Sequence, residues 1–266
     1  MDQGLSQRGV NGPSGPLPTP DQKVSFVREM FGRIARRYDR MNRLMTFGRD
    51  RAWRRYTISQ LALGNGRART VLDVATGTGD LALETLHRYP EVEVFGVDFV
   101  SEMLAIAQQK ASAHSGSPPL FLSAGDALKL PFADALFDAV VTGFALRNVT
   151  DIPAAFAEMA RVTRPGGRVA CLEIAKPRMP VFRQLFAFYF YRLVPLLGGW
   201  ITGQPSAYTY LPHSLTAFLT PDEIAEVMGQ TGWRDVRYKR LMLGTVAVHV
   251  GIRVGCGECR LAKHEE

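Results

Sequence analysis

Asp98 stands nineteen positions after Gly79, the last glycine of the run Val71-Leu72-Asp73-Val74-Ala75-Thr76-Gly77-Thr78-Gly79-Asp80. That pairing dictates a strand, a tight turn, a helix and a second strand. Thr70 to Ala75 is β-branched and aliphatic, as a buried strand requires. Gly77 and Gly79 permit a turn in which backbone meets a ligand with no Cβ in the way. A helix from Asp80 to Tyr89 follows, and a strand from Glu93 to Val97 delivers Asp98 to the same crevice, where a carboxylate accepts from both hydroxyls of a ribose. The spacing therefore points to a ligand that contains adenosine.

Gly77-Thr78-Gly79-Asp80-Leu81-Ala82 also satisfies the loose form of the dinucleotide fingerprint. A pyrophosphate needs free backbone donors at a helix mouth, whereas Asp73 precedes this turn and Asp80 begins the helix, both adding negative charge. Carboxylates there suit a cation, and S-adenosylmethionine carries a sulfonium and an α-ammonium. The competing reading is an ordinary βα turn with a capping aspartate.

The 266 residues suffice for one substantial core, so one catalytic domain with appendages is expected. Residues 1–20, rich in Gly and Pro and without an apolar run, read as a disordered leader rather than a signal peptide. The domain then spans 21–254, with an N-terminal helical cap at 21–66, a helical substrate cover at 178–219 and a polar tail at 255–266. Three cysteines imply no disulfide framework and a cytoplasmic setting. Cys256-Gly257-Glu258-Cys259 has metal-pair spacing but too few ligands for a closed zinc site, and no metal is expected. The net charge of +7 is concentrated: ten arginines lie between Arg28 and Arg55, against Glu29, Asp39 and Asp50. Such a face meets anionic lipid, nucleic acid or solvent.

Past Asp98 the pattern alternates as in a parallel α/β sheet. Helices are expected over Ser101–Ser112, Asp151–Val162 and Pro221–Thr231, and strands over Leu120–Ala124, Phe137–Thr142 and Arg168–Glu173, the last after a turn at Arg164-Pro165-Gly166-Gly167. Runs around Val236–Leu243 and Thr245–Ile252 pair as a hairpin. Five parallel-strand signals followed by a strand pair resemble the Rossmann-like class I S-adenosylmethionine methyltransferase fold: a mostly parallel seven-stranded α/β sheet, helices on both faces and an antiparallel terminal strand.

A closer likeness lies outside the generic fold. Phe31-Gly32-Arg33-Ile34-Ala35-Arg36-Arg37-Tyr38-Asp39-Arg40-Met41-Asn42, with Gly48 and Arg51-Ala52-Trp53-Arg54, is similar to the N-terminal signature of the ubiquinone and menaquinone biosynthesis C-methyltransferases. Phe144-Ala145-Leu146-Arg147-Asn148-Val149-Thr150-Asp151, Tyr208-Thr209-Tyr210-Leu211-Pro212-His213-Ser214-Leu215 and Gly244-Thr245-Val246-Ala247-Val248-His249-Val250-Gly251 also resemble that family. Together these cover about residues 26 to 252. Thr76, Gly143 and Ala145 depart from its common residues, and Gly143 removes one side-chain contact to the cofactor.

The resemblance implies methyl transfer from S-adenosylmethionine to a ring carbon of a demethylated prenyl quinol, with demethylmenaquinol preferred over a ubiquinol precursor. Cofactor residues would be Asp73, Thr76, Gly77, Thr78, Gly79, Asp98, Phe99, Asp126, Ala127 and Gly143, with Asp126 accepting from the adenine amine. A base must ionise a quinol hydroxyl, and Tyr38, Asp39, Arg147, Asn148, Tyr210 and His213 are the polar groups in the matched segments. Arg147 and Asn148 are the first choice for the polar end of the pocket and His213 the second; a surface salt bridge is the plain alternative for Arg147. The aromatic run between Val181 and Ile201, interrupted by Arg183, Arg192 and Pro195, is too short to span a bilayer and reads as a core helix, a dimer contact or a cover over the isoprenoid tail. Peripheral contact with the inner face of the membrane and a homodimer stay open. Rival readings are a methyltransferase for another lipophilic phenol or sterol and an RNA-binding relative; the chain lacks the basic runs interleaved with aromatics that RNA binding favours, so no nucleic acid is expected.

Overall fold

The computed structural model describes residues 20–64, 69–113, 119–194, 214–216 and 218–255. The leader before Pro20, the Cys256 tail, Tyr210 and His213 lie outside the described residues. Helices α1 (Pro20–Met45) and α2 (Asp50–Ser59) precede β1 (Arg69–Val74), α3 (Asp80–Arg88), β2 (Val92–Asp98), α4 (Ser101–Ser112), β3 (Leu120–Ala124) and β4 (Phe137–Gly143). Then come a 3-10 turn (Leu146–Asn148), α5 (Ile152–Val162), β5 (Thr163–Ile174), α6 (Pro180–Phe188) continued by a π turn (Tyr189–Leu193), α7 (Pro221–Gln230), β6 (Trp233–Leu241) and β7 (Val246–Arg253).

The strands form one seven-stranded sheet in the order β3-β2-β1-β4-β5-β7-β6. The first five are parallel, and β7 lies antiparallel between β5 and β6. The order reverses between β1 and β4, and ligand crevices of α/β sheets form at such a switch. Alternate residues feed opposite faces: Leu72 and Val74 pack with α5, α7 and part of α1, whereas Val71 packs with α2 and α3. Local sequence explains several ends. Asp151 caps α5 by accepting from the Ala154 amide at 2.8 Å, and Thr220 and Glu223 form a capping box at α7.

The expected turn before β5 is instead a bulge inside the strand. Phe137 pairs with Thr163 and Ala139 with Arg168, so Arg164 to Gly167 bow out opposite Asp138. Gly166 takes φ +77° there, and a Cβ on Gly167 would meet the Asp138 carbonyl oxygen at 2.7 Å. We expect Gly167→Ala to lower stability by roughly 1–3 kcal/mol, because backbone has to move to admit the methyl; urea unfolding followed by circular dichroism checks this.

Candidate active site

Two cavities lie at the carboxyl ends of the parallel strands. One, of about 370 Å³, collects Gly77 after β1, Asp98 and Phe99 after β2, Asp126 and Ala127 after β3, and Gly143 and Asn148 around the end of β4. Helix α1 contributes Val27, Phe31 and Tyr38 to its wall. The other, of about 430 Å³, is walled by α1, α2, the β4 loop and the aromatic face of α6 and its π turn. Tyr38 and Phe144 line both, so these two rings mark where the cavities meet.

The first cavity takes its shape from Asp98. One carboxylate oxygen accepts the Gly77 amide at 2.8 Å and the other the Val100 amide at 2.9 Å. Gly77 sits at φ +55° and Gly79 at φ +80°, and a Cβ on Gly79 would touch the Ala107 methyl at 3.0 Å. The Asp98 carboxylate, acceptor-only when ionised, suits the donors of a ribose diol. Burial raises the pKa of Asp98 against the pull of its amide donors.

Asp73 lies deeper, 1% exposed, with Oδ2 accepting the Thr76 hydroxyl at 2.7 Å and the Ala82 amide at 3.0 Å. Its Oδ1 is buried without a hydrogen-bond partner, and burial pushes the carboxyl up to about 7. A buried acceptor without a donor fits an ammonium group, so the residues present suit the amino-acid end of S-adenosylmethionine. Asp80 is committed differently from the sequence expectation. It bonds Lys110 and, at 3.0 Å, Arg54; burial would raise its pKa, but these cations outweigh that and lower it. Its charge is therefore spent within the protein.

Asp73, Thr76, Thr78 and Gly79 stand behind the turn rather than line either cavity. The Thr78 hydroxyl donates to Asp39 Oδ1 at 2.6 Å, and Lys110 bonds Asp39 Oδ2 at 3.0 Å. This ties α1 to the glycine turn and keeps Asp39 off both cavity walls. Asp126 is exposed and caps its own loop by accepting the Leu128 amide at 2.9 Å. Gly143 leaves room for Leu81, whose Cδ1 would lie 2.7 Å from an added Cβ.

Arg147 and Asn148, adjacent in sequence, divide between the cavities: Arg147 lines the apolar one and Asn148 the other. The Arg147 side chain is 5% exposed and faces Glu173 of β5, with Nη1 to Oε2 at 3.7 Å. A surface salt bridge is thus replaced by a buried pair. Glu173 Oε1 accepts the Leu146 amide at 2.7 Å, and burial raises its pKa despite Arg147. Nε and Nη1 of Arg147 are buried without hydrogen-bond partners, leaving donors for a ligand oxygen. Asp50 and Arg54 also line the apolar cavity. Sequence reasoning missed Glu173, Asp50 and Arg54, although Arg54 stood inside a matched motif. His249 is fully buried in β7, bonded to the Pro221 carbonyl at 2.9 Å and lowered to about 4 by burial, in keeping with a structural histidine.

Asp73 yields a pH prediction with a definite sign. An acid raised to about 7 favours its protonated form when folded; that contribution is full below the unfolded value near 3.8 and is lost as pH rises through about 7. A bound ammonium reverses the preference, so S-adenosylmethionine affinity should increase from about pH 5 to about pH 8 with proton release. Calorimetry in buffers of different ionisation enthalpy measures this, and Asp73→Asn should remove the proton release.

The sequence model of the ubiE/COQ5 methyltransferase family matches residues 19–253. The demethylmenaquinone methyltransferase of Roseiflexus castenholzii is 50% identical over 240 residues, covering 90% of this chain and 98% of that protein. The ubiquinone/menaquinone biosynthesis C-methyltransferase UbiE of Geotalea daltonii is 40% identical over 232 residues, covering 86% of this chain and 97% of its own length. Among solved structures, a SAM-dependent methyltransferase from Aquifex aeolicus superposes with a TM-score of 0.57 at 17% identity over 81% of this chain and 98% of that one, which speaks for the fold. With a matching sequence model over nearly all of the described residues and relatives of equal extent, the chain belongs to the ubiE/COQ5 methyltransferase family.

Proposed function

We propose that the chain transfers a methyl group from S-adenosylmethionine to a ring carbon of demethylmenaquinol, giving menaquinol. The observation that carries this reading is the pair of cavities meeting at Tyr38 and Phe144, one set with Asp98 and the other apolar. S-adenosylmethionine supplies an electrophilic methyl on a sulfonium. Asp98 holds the ribose, Asp73 Oδ1 receives the ammonium, and the Gly77 turn admits the ligand to the backbone. On the other side, Arg147 orients the quinol hydroxyl and balances its charge on ionisation. Walls such as Phe182, Phe186 and Phe190 exclude water and receive the isoprenoid chain. The relatives at higher identity bear the demethylmenaquinone name, which favours the menaquinol precursor.

The quinol's tail partitions into lipid, so the apolar cavity has to open toward it. Phe47 after α1, Leu185 and Phe188 of α6, and Met242 before β7 line that cavity yet remain exposed, at 75%, 62%, 59% and 43%. Lys176, Arg178, Arg183 and Arg192 stand in the same stretch as α6 with no acid among residues 174 to 194. An apolar rim flanked by cations fits peripheral docking on the cytoplasmic face of an anionic bilayer. No helix among the described residues is long and apolar enough to cross one.

Anaerobic incubation of the protein with methyl-labelled S-adenosylmethionine and short-chain demethylmenaquinol should place label in the quinol; label appearing only in RNA or in neither would contradict the proposal. Leu185→Glu with Phe188→Glu should cut cosedimentation with phosphatidylglycerol-containing vesicles roughly tenfold, because each change removes buried apolar area and adds a repelled charge. Turnover of a short-chain, water-soluble quinol should fall far less.

A further inference from the structure

C-methylation requires a group that takes the quinol hydroxyl proton, and the candidates drawn from the matched segments do not include a carboxylate on the apolar wall. Asp50 is such a group. It begins α2, is 2% exposed, and lines the same cavity as Arg147, Tyr38 and Phe144. It is the one carboxylate among the described residues lining that cavity.

We infer that Asp50 accepts the hydroxyl proton of the quinol, an assignment that rests on the proposed quinol methyl transfer. Its bonding suits the task. Thr46 donates its hydroxyl to Asp50 Oδ1 at 3.1 Å, and Arg54 Nη1 donates to Oδ2. The same Arg54 nitrogen also lies 3.0 Å from Asp80 Oδ2. One guanidinium thus serves two carboxylates, and Asp80 holds Lys110 besides. Lys110 in turn bonds Asp39 from α1.

Around Asp50 the ion-paired cluster therefore contains Asp39, Asp50 and Asp80 against Arg54 and Lys110, a surplus of one negative charge. Arg43 acts on Asp80, and Tyr38 on Arg54, through the field alone. Protonating Asp50 removes the surplus without stranding Arg54, which keeps Asp80 as its partner. Across the cavity the new quinolate oxygen meets Arg147, which faces Glu173 at 3.7 Å and whose Nε and Nη1 have no hydrogen bond. The proton moves while the Asp50 end of the low-dielectric cavity keeps its cations paired.

Asp50 takes the hydroxyl proton, and the freed electron pair raises density at the adjacent ring carbon. That carbon forms its bond to methyl as the sulfur–methyl bond breaks with its pair going to sulfur. Loss of the ring proton to water restores aromaticity with oxygen as phenolate, which recovers the proton from Asp50. One proton is released for each methyl transferred.

The test is the pH dependence of kcat for the full chain with short-chain demethylmenaquinol, comparing the native protein with Asp50→Asn and Asp50→His. Near pH 7, D50N should lower kcat about 100-fold, the size of a lost proton acceptor. Quinol KM and cofactor affinity should hold within about twofold, since the loss falls on the transition state. Its deficit should narrow toward about pH 10, where a phenolic hydroxyl ionises unaided. D50H restores a base, so activity should return with an acid limb near pH 6.5, the value of an imidazole. A D50N deficit constant from about pH 6 to 10 would mark a structural role and overturn the assignment, as would full D50N activity. If D50N fails to fold, D50H decides alone, and a folded D50H lacking that limb overturns the assignment. A native protein that moves no methyl to the quinol would instead remove the underlying reading.

Discussion

The contacts that join α1 and α2 to the glycine turn organise the rest of the site. Asp39 takes the Thr78 hydroxyl and Lys110, and Asp80 takes Lys110 and Arg54, so four helices and the turn share one chain of alternating charge. Because these groups are partly or largely buried, their attraction is less screened than that of surface pairs. The chain fixes α1 over the carboxyl ends of β1 and β2. Without that roof the crevice at the sheet's switch point would be an open groove, and Tyr38 would not reach the boundary between the two cavities.

The two cavities differ in chemistry because different parts of the sequence build them. Turns after the parallel strands supply backbone donors and Asp98, which read a polar ligand. The aromatic face from Phe182 to Phe190 and the ends of α1 and α2 supply apolar walls that accept a lipid. The charged groups that reach the second cavity are held by partners: Arg147 by Glu173 behind the wall, and Asp50 by Thr46 and Arg54 beside it. Such backing keeps charged groups oriented where water is scarce.

Much of this was legible in the chain itself. The alternation of strands, the Asp98 spacing and the antiparallel terminal pair all have local signatures; β1 to β4 and β7 follow them within a residue or two, while β5 starts five residues early and β6 three. The bulge in β5 has no local signature, because Arg164-Pro165-Gly166-Gly167 has the composition of a turn and only pairing with β4 makes the strand continuous. Charge pairing was the harder problem. Asp80 reads from sequence as an acid beside a cationic ligand, yet Arg54 and Lys110, distant along the chain, neutralise it. Glu173 and Asp50 were illegible for the same reason, since nothing local distinguishes an acid facing a cavity from one facing solvent.

The central claim is that donor and acceptor occupy separate cavities joined at Tyr38 and Phe144. A crystal structure of the protein with S-adenosylhomocysteine and a short-chain demethylmenaquinol tests it most directly. The account predicts the ribose on Asp98, the sulfur at the Tyr38–Phe144 boundary, and the quinol ring on the far side with its hydroxyl at Arg147. A quinol bound outside the apolar cavity, or a sulfur turned away from that boundary, would contradict it.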